Sequence, residues 1–260
     1  MNFQLMEATI HELISDTIDH FSIYIHTKDG DISINAHEPK RAAGTIKIPI
    51  LIEAYRHLES NIVQPDALVY IENDMKAGGR GVINYLTNSN VYSYKNLLEL
   101  MIIVSDNTAA NIILDKIGMY TVNELATTIG CDHTKIGRRF MGHQDPTLDN
   151  YTSARDMVRF LHLIENHNEI VTDTSRKDIK KILLHQQINH KIASYAEQKT
   201  NVNIYHKTGE LPGIEHDVAL VTYREKKVYM AILSENWTNN GTGKDYLADI
   251  GKIVLEYTKS

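Results

Sequence analysis

The sequence predicts an α+β fold in which an antiparallel five-stranded sheet, flanked by N- and C-terminal helices, lies beside an all-helical lobe. Two observations lead to this fold class. Both ends of the chain alternate apolar and polar residues with the period of a β-strand, whereas residues 44–199 repeat apolar residues at helical spacing. Strands from the two ends bury their apolar faces only if they share one sheet, and the helical block then packs beside it as a second lobe.

The N-terminal part predicts one helix followed by a hairpin. Residues 3–19 place apolar side chains at near-helical spacing, which indicates an amphipathic helix. Residues 21–26 then alternate, residues 28–31 carry a Lys-Asp-Gly-Asp turn signal, and residues 32–34 alternate again. This pattern is typical of a β-hairpin.

The middle of the chain predicts several helices, and the C-terminal part three strands and a last helix. Helices are expected over residues 46–59, 95–104, 121–129 and 153–166. The 95–104 segment is apolar nearly all round, as expected of a buried helix, and Ser153 is a candidate N-cap. Alternation returns in three segments after residue 200, and a helix is predicted over residues 244–258.

The composition is that of an ordinary globular protein built as one domain. The chain has 260 residues, of which 42% are apolar and 23% charged, enough to bury a large core. We expect the sheet-containing lobe to comprise residues 1–40 and 200–260, and the all-α lobe residues 41–199. The net charge of −6 and the lack of a basic run argue against nucleic acid as a partner. The single cysteine, Cys131, excludes an internal disulfide.

The N-terminal residues MNFQLMEATIHELISD lack the basic start, apolar run and cleavage site of a secretory signal. No segment approaches the roughly 20 apolar residues needed to cross a bilayer. These observations predict a soluble, cytoplasmic protein that does not contact a membrane, unless an export signal has been removed.

Three short motifs carry the chemistry. Residues 43–49 read AGTIKIP, residues 105–107 read SDN and residues 207–209 read KTG. With serine in place of Gly44 these become S-x-x-K, S-D-N and K-T-G, the ordered signature of class A β-lactamases and penicillin-binding proteins. The chain therefore resembles that superfamily of serine hydrolases over most of its length, but it lacks the nucleophilic hydroxyl.

Gly44 and Lys47 form the first pair of candidate catalytic residues. Because they are three residues apart, a helix that begins near residue 44 puts them on one face, where Lys47 would meet a serine hydroxyl. A partly desolvated lysine can lose its proton and activate such a hydroxyl. Gly44 keeps its backbone N–H for an oxyanion but supplies no attacking oxygen. Thr45 is no obvious substitute, since one helical step turns it about 100° from the Lys47 face.

The resemblance implies roles for the residues of the other two motifs. Ser105 would relay protons to the leaving group as a catalytic residue, and Asn107 would hydrogen-bond the substrate amide and Lys47. Lys207 would supply positive charge for a substrate carboxylate, and Thr208 would supply a hydroxyl hydrogen bond.

Gly209 and Glu210 complete the predicted substrate-binding segment. A glycine at position 209 leaves room for a ligand that lies along a strand edge. The backbone N–H of Glu210 would complete an oxyanion hole with that of Gly44. No cofactor is implied, and no metal site is expected, because the thirteen histidines lack the spacing of a metal-binding motif.

The resemblance implies acyl transfer from a β-lactam, a related amide or an ester to a serine, followed by hydrolysis, in a groove between the two lobes. As written, the chain is expected to bind this small-molecule substrate without acylation. Three explanations of Gly44 stay open: a serine replaced so that the enzyme is silent, a natural homologue without catalysis, or a glycine of purely structural value. A binding or sensing protein and an esterase or peptidase of the same fold are the alternative functions.

The loop after residue 136 departs from the class A pattern. Class A β-lactamases carry a glutamate in this loop that orients the deacylating water, whereas residues 136–157 contain none. Asp145, Asp149 and His143 are the candidates to replace it. Efficient penicillin hydrolysis is therefore not expected even with the serine restored.

Overall fold

A computed structural model describes residues 1–142, 148–196 and 201–260. Within those ranges the α-helices are α1 (Phe3–Leu13), α2 (Lys47–Glu59), α3 (Tyr94–Ile103), α4 (Asn107–Ile117), α5 (Met119–Thr128), α6 (Ala154–Glu165), α7 (Asp173–Leu184) and α8 (Asn240–Lys259). The strands are β1 (Phe21–Thr27), β2 (Gly30–Ile34), β3 (Lys40–Arg41), β4 (Leu68–Tyr70), β5 (Val91–Ser93), β6 (Tyr151–Thr152), β7 (Val202–Leu211), β8 (Ile214–Tyr223) and β9 (Lys226–Glu235).

The main sheet joins the two ends of the chain, and this confirms the predicted fold class. Five antiparallel strands follow the order β2-β1-β9-β8-β7. The first hairpin pairs with the last strand, with Ile23 opposite Ile232 in the register of β1 and β9. The edge strand β7 therefore carries the KTG motif along the open side of the sheet.

Both faces of the sheet are buried. On β8, Val218 and Leu220 belong to the larger apolar core, which the helical segments share, whereas Ala219 and Val221 belong to a second core beneath α1 and α8. The sheet thus lies between two helical layers. This arrangement explains why the central strands are apolar at successive positions and not only at every second one.

The helix predicted over residues 3–19 is shorter in the structure. Asn2 caps α1 by accepting a hydrogen bond from the Leu5 N–H, and the helix ends at Leu13. Residues Ser15–His20 form 3₁₀ turns, interrupted at Thr17, whose φ of −133° is not helical. The chain bends here because it must deliver Phe21 to the start of β1.

The C-terminal helix begins four residues before the predicted start at residue 244. Asn239 caps α8, and Gly243 lies in its first turns against the ring of Trp237. Glycine has poor helix propensity, so the sequence pattern does not indicate this helix start. Tertiary packing stabilises it. Ser153 caps α6 as predicted, accepting from the Asp156 N–H.

The helical lobe packs around α3 and α4. Leu97, Leu98 and Met101 of α3 are fully buried in the larger core. Two further sheets of two strands each pair β3 with β6 and β4 with β5. None of the helices in the part of the chain that the structure describes is long and apolar enough to span a bilayer.

Candidate active site

The three motifs meet at one cavity between the edge strand β7 and the helical lobe. Its volume is 670 Å³. The predicted site residues that line it are Gly44, Lys47, Ser105, Asn107, Thr208 and Glu210. Lys207 and Gly209 lie directly behind this lining, where Lys207 contacts Ser105 and Gly209 packs against Gly44. The fold thus brings all the predicted site residues to one place.

A short 3₁₀ turn, Ala43–Ile46, presents position 44 to the cavity. Ala43 adopts the left-handed conformation with a φ of 47°, which is unfavourable for a residue with a Cβ. Thr45 is fully buried, and its hydroxyl donates to the carbonyl oxygen of Ala42 at 2.6 Å. Thr45 is therefore turned away from the cavity, and its hydroxyl is already engaged.

Gly44 and Gly209 let this turn pack closely against β7. A Cβ at position 44 would lie 2.7 Å from the Thr208 carbonyl oxygen, and a Cβ at position 209 would lie 3.1 Å from the Gly44 nitrogen. The reason predicted for glycine at 209 is therefore wrong, because its missing side chain would meet the turn and not a ligand. A side chain at position 44 therefore requires this turn or β7 to shift.

Lys47 begins α2, and neutral groups surround its ammonium. Its Nζ donates to the Ser105 carbonyl oxygen at 2.8 Å, to the Ser105 hydroxyl at 3.1 Å and to Asn107 Oδ1 at 2.9 Å. The ring of Phe140 lies 4.6 Å from the same nitrogen. Burial lowers the pKa of Lys47 to about 7, against a smaller opposing effect of the Asp106 charge. A lysine with such a pKa can exchange a proton near neutral pH.

Ser105 links α3 to α4 in a left-handed conformation. Its φ is 57°, a geometry that costs of the order of 1 kcal/mol for a non-glycine residue and is common at functional sites. The turn directs the hydroxyl between two lysines, so that the Nζ atoms of Lys47 and Lys207 each lie 3.1 Å from Ser105 Oγ. One hydroxyl thus connects the two cationic motifs.

Asp106 and Asn107 hold this link in place. Asp106 caps α4 by accepting from the Ala109 N–H, and its other oxygen accepts from the N–H groups of Val82 and Ile83. Asn107 accepts from Lys47 through Oδ1 and donates through Nδ2 to the Gly78 carbonyl oxygen. Asp106 therefore braces the loop, and one hydrogen of the Asn107 amide already bonds to the protein.

Lys207 projects from β7 to the opposite side of the Ser105 hydroxyl. Its Nζ also donates to the Thr208 carbonyl oxygen at 2.8 Å, and its side chain is fully buried. Burial is the largest cause that holds the pKa of Lys207 well below its usual value, and the neighbouring charge of Lys47 acts in the same direction.

A buried ion pair that the sequence did not predict contacts β7 next to the site. Lys191 and Glu215 are both fully buried, and their Nζ and Oε2 atoms are 2.5 Å apart. Lys191 also donates to the Gly209 carbonyl oxygen at 2.8 Å. The available sequence signal was the run of Glu215, His216 and Asp217 in an otherwise apolar strand, since buried charged residues require partners.

Arg80, also missed, reaches across the mouth of the cavity. Its Nη2 lies 2.6 Å from Glu210 Oε2, and Lys244 Nζ lies 3.3 Å from Glu210 Oε1. Arg80 comes from the segment between β4 and β5, and Glu210 comes from β7. This pair therefore connects the two sides of the groove at its rim.

The candidates for the missing loop glutamate have different outcomes. Asp149 lines the cavity, but its carboxylate is held by Arg41 at 2.7 Å and Arg138 at 2.9 Å. His143 and Asp145 lie outside the described residues. Within the residues that the structure does describe, no three histidine, cysteine or acidic side chains are grouped to hold a metal ion.

Solved structures share this fold over nearly the whole chain. A β-lactamase from Sphaerobacter thermophilus DSM 20745 superposes with a TM-score of 0.90 at 23% identity, covering 100% of this chain and 98% of that one. A mutant of PBP-A in an acyl-enzyme complex with penicillin G superposes with a TM-score of 0.85 at 23% identity, covering 98% and 97%. At these identities the superpositions establish the fold.

Sequence comparison establishes the family. The chain is 26% identical over 187 residues to β-lactamase BRO-1 of Moraxella catarrhalis, a match that covers 66% of this chain and 58% of that protein. The chain thus matches less than two thirds of that relative's length. The sequence profile of the β-lactamase enzyme family matches residues 5–258, and the chain accordingly belongs to that family.

Proposed function

We propose that this chain binds a β-lactam, or a related amide or ester, in the cavity beside Gly44 and holds it without acylation. One observation carries the proposal: Lys47, Ser105 and Lys207 converge on one point next to a residue that has no side chain. This arrangement suits acyl transfer to a serine at position 44, and the hydroxyl that would accept the acyl group is missing.

A serine at position 44 would join an existing set of proton-transfer groups. A Cβ at this position lies 3.4 Å from Ser105 Oγ, so a hydroxyl on it is within reach of Ser105 and Lys47. Lys47, with its pKa near 7, would accept the hydroxyl proton as the oxygen attacks the carbonyl carbon. Ser105 would then pass a proton to the leaving nitrogen, and Lys207 would stabilise the negative charge of the substrate.

The backbone supplies two donors for the developing oxyanion. β7 is the edge strand, so alternate residues turn their N–H and C=O groups away from β8. The Thr208 carbonyl oxygen lies on this open side, because it approaches Gly44. Glu210, two residues further, turns its N–H to the same side, and we assign it the oxyanion hole together with the Gly44 N–H.

The test is to compare the parent chain with Gly44→Ser and with Gly44→Ala as a matched control. Both variants place a Cβ against the Thr208 carbonyl oxygen, but only serine adds a hydroxyl. We expect a fluorescent penicillin to label the serine variant covalently, and to bind the parent and the alanine variant reversibly. Intact-protein mass spectrometry distinguishes the two modes.

The outcomes separate the proposal from its alternatives. Turnover of a chromogenic ester by Gly44→Ser without penicillin labelling would indicate an esterase. Reversible binding without any reaction of the serine variant would indicate a binding or sensing protein. Covalent labelling of the parent chain would contradict the proposal outright. We also expect the acyl-enzyme of Gly44→Ser to persist, because the loop lacks a glutamate and Asp149 is paired with two arginines.

A further inference from the structure

Two buried lysine side chains face one hydroxyl in this site, and the carboxylates of Asp106 and Asp217 act on them only through longer-range charge. Lys47 and Lys207 both donate to Ser105 Oγ, and their remaining hydrogen-bond partners are neutral oxygens. Across residues 1–142, 148–196 and 201–260, neither Nζ has a carboxylate oxygen within 4.0 Å. Lys191, the next buried lysine, differs because Glu215 neutralises it. Buried charges are costly unless they are paired.

The unpaired charges lie where a ligand can reach them. The cavity lining includes Gly44, Lys47 and Ser105, so an oxygen atom placed beside the glycine can approach the serine hydroxyl and the lysine behind it. A Cβ at position 44 would lie 3.4 Å from Ser105 Oγ. The Thr208 carbonyl oxygen, 2.7 Å from the same Cβ, bounds this space on the side of β7. A ligand oxygen therefore has to approach from the cavity side, which Gly44, Lys47 and Ser105 line.

Neutral donors complete a site with the geometry of a carboxylate. The N–H group of Glu210 faces the cavity side of β7, and with the Gly44 N–H, which we assign to the same oxyanion hole, it can hold one oxygen. A second oxygen on the same carbon would then lie beside Gly44, next to Ser105 and Lys47. An intact lactam presents only one oxygen at that carbon, and it carries no charge. Charge-assisted hydrogen bonds are roughly twice as strong as neutral ones.

We propose that this chain is selective for the ring-opened dicarboxylic acid of a β-lactam over the intact lactam, with the newly formed carboxylate beside Gly44 and the original carboxylate at Lys207. This inference rests on the proposed function, since it concerns the same ligand class in the same cavity. Loss of the nucleophile thus converts an acyl-transfer site into a binding site for the hydrolysis product.

Calorimetric titration of the parent chain with benzylpenicillin and with its penicilloic acid tests the selectivity. We expect the acid to bind at least tenfold more tightly at neutral pH. We also expect proton uptake on binding of the acid, because an anion beside Lys47 favours its charged form. Repeating the titration in buffers of different ionisation enthalpy measures that uptake.

Two variants test whether the charge of Lys47 and the space beside Gly44 cause the preference for the acid. Lys47→Met removes the charge and should abolish both the preference and the proton uptake. Gly44→Ala keeps every charge but fills the space beside the glycine, and it should weaken binding of the acid more than binding of the lactam. A circular dichroism spectrum equal to that of the parent shows that each variant is folded.

The titrations distinguish failure of this inference from failure of the proposed function. Equal affinities for the two ligands, or tighter binding of the lactam, would overturn the selectivity while leaving the proposed function standing. Binding of neither ligand would overturn both. A preference for the acid that persists in Lys47→Met would place the second carboxylate elsewhere and would also overturn this inference.

Discussion

Lys47 is buried, and burial disfavours the charged form of its side chain. Its side chain is 1% exposed, and its contacts are with neutral oxygens and an aromatic ring. The sequence predicted the position of this lysine from its spacing to residue 44, and the resemblance to the β-lactamase superfamily implied its convergence with Ser105 and Lys207. It could not predict the environment that lowers the pKa, because that environment comes from segments far apart along the chain.

Lys47→Met provides a test of this burial through pH. The pKa of Lys47 is about 7 in the folded chain and about 10.4 for an unperturbed lysine. Between these values the unfolded chain binds more protons, so raising the pH favours folding. We expect the free energy of unfolding of the parent to rise with pH from 7 to about 10 relative to that of Lys47→Met, and the difference to be constant below pH 7.

Urea unfolding at several pH values in this window measures the difference, and Lys95→Met is the control. Lys95 is 46% exposed, so removing it should give no comparable pH-dependent difference. A gap between the parent and Lys47→Met that stays constant across the window would contradict the effect of burial on this lysine.

Other site residues were missed for a physical reason. Arg80, Lys191 and Glu215 belong to no motif, and each acquires its role only through a contact across the fold. A lone charged residue in a sequence is most often exposed. Only the acidic residues within the apolar strand β8 indicated, from the sequence alone, that buried charged partners are present.

At the level of elements, the junction between α3 and α4 depends on Asp106. This carboxylate accepts from three backbone N–H groups, those of Val82, Ile83 and Ala109. Asp106→Ala would leave all three without their partner, and unsatisfied buried donors cost about 1–3 kcal/mol each before relaxation. We expect a loss of about 3 kcal/mol in the free energy of unfolding, measured by urea denaturation.

Ser93→Ala is the matched control for this prediction. Ser93 caps α3 through one N–H, that of Asn96, and its loss should cost about 1 kcal/mol. If Asp106→Ala costs no more than this control, then Asp106 acts as a simple helix cap and does not brace the loop.

Element boundaries were predictable where a cap and a periodic pattern agree. α6 follows Ser153 as predicted, whereas α1 ends early and α8 begins early because tertiary contacts override local propensity. The ribbons β3–β6 and β4–β5 were not predicted at all. Strands of two or three residues are too short to show a period.

At the scale of the whole molecule, the sheet separates two apolar cores. Leu98 lies in the core shared with the helical lobe, and the single tryptophan, Trp237, lies in the core on the other face. Alternation of apolar and polar residues at both ends of the sequence predicted the shared sheet. Such alternation indicates one buried face, so it did not reveal that both faces of the sheet are covered. Adjacent residues of one strand point their side chains into different cores, so the two cores share the same backbone.

This arrangement predicts cooperative unfolding. Leu98→Ala should cost about 2–5 kcal/mol, and the tryptophan fluorescence and far-UV circular dichroism should shift to the same lower midpoint. Leu68, which is 75% exposed, provides a control whose truncation to alanine should leave the midpoint unchanged. A tryptophan transition that stays at the parent midpoint would show that the two cores unfold independently.

The pairing of β1 with β9 also constrains biosynthesis. These partners lie roughly 200 residues apart, so at bacterial or eukaryotic elongation rates the ribosome needs on the order of 10–40 s to deliver the second after the first. During that interval the first hairpin exposes an unpaired, apolar edge, a natural target for chaperones. Lys207 is translated about 100 residues after Ser105, so the cavity between them forms only after both segments have left the ribosome.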